Sequence, residues 1–118
     1  MFGLESTKIY LAREPVDLRK SIDGLSVLVA QVLGQDPFEA QLFVFVNRRR
    51  DKLKALRWDQ NGFVLYYKRL ERGRFPWPES DAEQVALVIE PRQLQWLLSG
   101  LSIEQSQALT AVQAKAIA

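Results

Sequence analysis

The run QLFVFVN at residues 41–47 is apolar on both parities. Side chains of a strand alternate between its two faces, so such a strand needs apolar cover on both and belongs inside a sheet. A chain of 118 residues that carries it forms one domain and is long enough to bury a core around that strand.

The flanking sequence supplies further elements. Residues 7–13, TKIYLAR, form an expected first strand with Ile9 and Leu11 on one face, stopped by Glu14-Pro15. Asp17 fits a helix N-cap, and Leu18, Ile22, Leu25, Val29 and Val32 make the stripe of an amphipathic helix that Gly34 closes. Gly24 inside it costs up to about 1 kcal/mol relative to Ala and points to a packing constraint. Asp36-Pro37 opens a loop. Residues 52–58 and 63–70 are expected to pair as a hairpin through Asn61-Gly62, the dipeptide favoured in type I′ turns.

A turn at Glu71-Arg72-Gly73 leads to Phe75-Pro76-Trp77-Pro78, whose prolines bar it from a central strand, and residues 84–89 make the last strand. Pro91 to Ser99, closed by Gly100, fits a short helix, and Ser102 to Gln105 matches a capping box ahead of an Ala-rich tail. The class is α+β: an antiparallel sheet of about five strands over residues 40–90, an N-terminal amphipathic helix and a short C-terminal one. Residues 1–100 form the domain. Residues 101–118 are a helical or frayed tail with too thin an apolar stripe to complete the core, so the fold is expected to survive its removal.

Composition narrows the chemistry. No run of about 18 apolar residues is present, and the start, MFGLESTKIY, lacks signal-peptide character, so a cytoplasmic protein without membrane contact is expected. The absence of Cys and His removes thiolate nucleophiles, Cys-type zinc sites and the commonest general base. Carboxylates remain: Asp17, Asp23, Asp36, Asp51, Asp59 and Glu71. Caps, turns and pairing with a neighbouring Arg account for such acids, and the structural reading leads for each. No cofactor, metal site or catalytic residue is expected.

Charge is distributed unevenly. From Asn47 to Arg74 there are ten basic residues, Arg48, Arg49, Arg50, Lys52, Lys54, Arg57, Lys68, Arg69, Arg72 and Arg74, against three acids, a local balance of +7. The remainder carries six basic and eleven acidic residues, or −5, so the net charge of +2 conceals a basic hairpin on an acidic body. Lys52 and Lys54 share a strand face, and the Arg48–Arg50 turn lies where Lys68, Arg69 and Arg72 return, which makes one hairpin end strongly positive. Such a patch suits phosphates, and Trp58, Tyr66, Tyr67, Phe75 and Trp77 interleave it with rings able to stack on bases. Core packing is the competing account of the rings and leads for Trp58, Tyr66 and Tyr67. For the Arg triplet a binding role leads, because adjacent guanidinium groups repel one another.

The runs DLRKSIDGL (17–25), DPF (36–38) and LFVFVNRRRDKLKALRWDQNGFVLYYKRLERGRFPWP (42–78) resemble the accessory Orf2-like (TnpB) proteins of IS66-family insertion sequences. The similar region spans residues 8–98, with a departure at Val64, where relatives commonly carry an aromatic. The resemblance implies a bacterial mobile-element protein, encoded beside a larger DDE-type transposase, that assists transposition without being its catalytic subunit. It carries over no catalytic residues. DNA, as element ends or target, and the transposase are the expected partners.

Three functions compete: a DNA-binding accessory factor working through the basic hairpin, a protein adaptor for the transposase, and, far behind, a carboxylate enzyme. A sheet with open edges is compatible with monomer and dimer alike.

Overall fold

The computed structural model describes residues 7–39 and 41–105. Five strands, β1 (Ile9–Ala12), β2 (Leu42–Val46), β3 (Lys52–Asp59), β4 (Gly62–Arg69) and β5 (Ala86–Ile89), form one sheet in the order β4-β3-β2-β1-β5. Helix α1 (Ile22–Gln31) follows β1, and α2 (Pro91–Leu98) follows β5. The α+β class holds, but the sheet is not wholly antiparallel. β1 enters it between β2 and β5 and runs parallel to β2, with Tyr10 opposite Phe43. The connection from Arg13 to Gln41 carries α1, and only a crossover of that kind can join parallel neighbours.

The double parity of residues 42–46 produces two cores, one on each face. Leu42, Val44 and Val46 join Ile9, Leu11, Leu53, Phe75, Trp77 and Ile89 under Leu94 and Leu97 of α2. Phe43 and Phe45 join Tyr10, Leu56 and Leu18 under Leu25, Val29 and Leu33 on the α1 side. Every residue of β2 is buried, and each such aromatic or aliphatic side chain contributes about 1.5–3 kcal/mol relative to exposure.

Several local expectations shift. Asp17 is not the N-cap: α1 begins five residues later, after Ser21. Val32 is 51% exposed, and the buried stripe runs through Leu25, Val29 and Leu33. Gly34, at φ +65°, does close the helix. At Gly24 an added Cβ would lie 3.0 Å from the Lys20 Cβ, which is the packing constraint behind that glycine.

The hairpin forms with its loop one residue early, on Gln60 and Asn61, and Gln60 alone takes a positive φ, of 53°. This register sets Trp58 against Phe63 and Leu56 against Leu65. A turn centred on Asn61-Gly62 would instead oppose Leu56 to Tyr67 and Lys54 to Arg69, so cross-strand apolar pairing overrides the dipeptide preference.

Helix α2 starts with Pro91 at its first position, and the Glu90 backbone N–H donates to Gln93 Oε1 at 2.8 Å. The capping box therefore lies here. Among the described residues Ser102 Oγ accepts from the Glu104 N–H, at 3.1 Å, and the expected helical tail beyond residue 105 lies outside the described residues. Ile103 is 6% exposed within the α2-side core, and its carbonyl accepts from Gln93 Nε2 at 3.2 Å. Chain beyond Gly100 thus contributes a core side chain. Ile103→Ala is expected to lower stability by about 2–5 kcal/mol, read as a fall in the denaturant midpoint. Among the described residues no helix is long and apolar enough to cross a membrane.

Candidate nucleic-acid interface

The basic turn is built by Asn47. Its Oδ1 accepts from the backbone N–H groups of Asp51 and Lys52 at 3.1 and 3.0 Å, and its Nδ2 donates to Asp51 Oδ1 at 2.7 Å. That last bond holds the Asp51 carboxyl below the ordinary carboxylate range, with Lys52 and Arg49 adding to the effect. Arg50 takes φ +61°, and its carbonyl accepts the Phe75 N–H at 2.7 Å, while Asp51 accepts the Leu70 N–H at 2.7 Å. The turn is therefore tied to the segment that follows β4, and Arg48 and Arg49 project from a fixed frame.

The ten basic residues do not form one patch. Lys52, Lys54 and Arg69 lie on the α1 face of the hairpin, Lys52 directly opposite Arg69, whereas Arg57 and Lys68 have the parity of the α2 face. Two lysines have structural partners. Lys54 Nζ donates to the carbonyls of Leu18 at 2.7 Å and Lys20 at 2.9 Å, and Lys68 Nζ donates to Leu98 O at 2.6 Å, at the carbonyl end of α2. Arg69 pairs with Glu71 through Nε and Nη2, at 3.0 and 3.1 Å. Arg72 and Arg74 are exposed on the loop beyond β4, and Arg50 is half-buried. Lys54→Met should lower stability by about 1–3 kcal/mol, because two carbonyls lose a charged donor; urea titration checks this.

What remains converges on the α1 face. A groove of about 840 Å³ opens between the segment from Pro15 to Arg19, the turn at Asn47–Arg49, and Lys52, Lys54, Leu65 and Tyr67 of the hairpin. Arg48 and Arg49 are exposed, Lys52 is half-buried, and none of the three has a side-chain hydrogen bond or ion pair among the described residues. The groove also holds Asp17, which accepts from Arg19 Nε and Nη2 at 3.0 and 2.7 Å. That guanidinium lowers the Asp17 pKa to about 2, so the acid stays ionised and paired.

The rings divide differently from expectation. Phe75 and Trp77 are buried in the α2-side core, where Trp77 Nε1 donates to Ala12 O at 2.8 Å, and neither can reach a base. Tyr66 packs on the same core. Trp58 sits in an edge-to-face cluster with Phe38 and Phe63, at centroid distances of 5.2 and 5.0 Å. Tyr67 is not core: it is 54% exposed in the groove, with Lys54 Nζ 5.7 Å from its ring centroid. Asn47, Arg19 and the wall at residues 15–18 were not legible as parts of a site. The one local signal was the Asp17-Leu18-Arg19 charge pair.

Among the described residues no three acids converge as metal ligands. The chain is 38% identical over 103 residues to the uncharacterized protein y4hO of Sinorhizobium fredii, covering 87% of this chain and 88% of that one. It is 37% identical over 94 residues to y4jC of the same organism, covering 80% and 79%. No solved structure matches it. The family model described as IS66 Orf2 like protein matches residues 7–108, beyond the expected end of similarity at 98 and past the core residue Ile103. The chain belongs to the IS66 Orf2-like (TnpB) family, the accessory proteins of IS66 insertion sequences.

Proposed function

We propose that this protein assists transposition as a non-catalytic accessory factor that binds DNA through the α1-face groove. The observation that carries the reading is the convergence of Arg48, Arg49 and Lys52 on one groove, with no acid paired to any of them among the described residues. Cations on and beside a braced turn, with no side-chain hydrogen bond or ion pair among the described residues, suit phosphate, and Arg forks suit its oxygens best. The acidic remainder of the surface orients the molecule by repelling DNA elsewhere.

The groove offers no recognition helix, so binding is expected to be largely independent of sequence and strongly dependent on salt. Anisotropy titrations with several unrelated DNA oligonucleotides at low ionic strength test this, repeated with the purified transposase present. Similar affinities that fall steeply with salt are the expected result. Failure to bind any DNA, together with tight association to the transposase, replaces the reading with that of a protein adaptor.

A further inference from the structure

We infer that the groove takes an unpaired DNA strand in preference to duplex, with Tyr67 as the platform on which a base stacks. This rests on the DNA-binding reading above and goes beyond it. Along β4 the side chains on the α1 face are Phe63, Leu65, Tyr67 and Arg69. Phe63 and Leu65 pack against the α1-side core, but Tyr67 joins neither core and stays 54% exposed in the groove.

Its neighbours are cationic. Lys54, opposite it on β3, places Nζ 5.7 Å from the ring centroid, and Lys52, Arg48 and Arg49 line the same groove. Lys54 is held there by the carbonyls of Leu18 and Lys20, so the ring has a pinned neighbour before any ligand arrives. A duplex presents phosphates and base edges and keeps its base faces stacked inside, where a side-chain ring reaches them only at the cost of unstacking a base step. An unpaired strand exposes those faces, and a cationic groove with a ring in it is the arrangement that binds such a strand without regard to sequence. Cations alone would serve duplex and single strand alike. Tyr67 breaks that equivalence.

The test compares a mixed-sequence single strand with its own duplex and with the matching RNA strand, using fluorescence anisotropy at low salt and the full chain. The expected result is tighter binding to the DNA strand than to the duplex, with the RNA strand bound no more tightly than the DNA strand. Tyr67→Leu, which keeps apolar bulk without a π face, should weaken the single strand about 5- to 150-fold and leave duplex affinity unchanged. Tyr67→Phe should restore wild-type binding, and near-native circular dichroism of both variants separates stacking from folding. Equal affinity for strand and duplex, or equal loss from both in Tyr67→Leu, overturns the stacking assignment while DNA binding stands. Tighter binding to the RNA overturns the choice of DNA. Absence of binding to every oligonucleotide defeats the parent reading instead.

Discussion

Replacing Arg48, Arg49 and Lys52 together by Ala will flatten the slope of log K against log salt for duplex DNA by roughly 2.7, at about 0.9 per lost phosphate contact. The three are chosen because they line the groove and have no internal side-chain partners among the described residues. Arg50, the third member of the sequence triplet, is half-buried at φ +61° with its carbonyl accepting the Phe75 N–H, so its place in the turn is a matter of backbone. Affinity should fall to a similar degree for every DNA sequence, because phosphate contacts carry no base information. Folding should survive. Arg48 and Arg49 are exposed and Lys52 has no side-chain hydrogen bond or ion pair among the described residues, so substitutions of this kind cost within about 0.5 kcal/mol each. Lys54→Met is the control: it lowers stability and leaves the salt slope in place, since its ammonium is committed to Leu18 and Lys20. A triple variant with a native spectrum and an unchanged slope would show that this charge is not aimed at phosphate.

Phe75→Ala should cost about 3–5 kcal/mol, a large part of the roughly 5–15 kcal/mol that separates folded from unfolded domains. Phe75 is 1% exposed and belongs to the core cluster that holds Leu94, Leu97 and Ile103. Its backbone N–H also donates to Arg50 O at 2.7 Å, so loosening residue 75 loosens the turn that presents Arg48 and Arg49. Phe75→Leu, which conserves most of the volume, should cost less than about 1.5 kcal/mol. Denaturant titrations of both give the stability change directly. If Phe75 were a base-stacking ring, the Ala variant would keep its stability and lose only DNA affinity, an outcome that would contradict its placement in the core.

Much of the fold was legible because it depends on local periodicity. Residues 42–46 announced a strand covered on both faces, and the structure builds one core on each. Gly34 and Gly100 marked helix ends and take φ of +65° and +86°. The Arg turn, its position opposite the hairpin loop and the shared face of Lys52 and Lys54 also followed from strand parity. The errors arose where a local preference met a tertiary demand. Asn61-Gly62 favours the centre of a turn, but the register obeys the Trp58–Phe63 and Leu56–Leu65 pairs.

What the amino-acid sequence determined by itself is the set of elements, the α+β class, the family and the sign of each region's charge. Tertiary structure alone decided which strand neighbours which and which charges remain available. β1 pairs with β2 across the whole α1 crossover and with β5 from the far end of the chain, and no local pattern encodes such a partner. Parity assigns a side chain to a face but does not say whether that face is covered, so Phe75 and Trp77 are buried while Tyr67 is left open. A lysine is equally basic in any sequence context. Lys54 and Lys68 have ammonium donors committed because folding brings carbonyls 36 and 30 residues away within hydrogen-bonding reach, and among the described residues it brings no such partner to Arg48, Arg49 or Lys52.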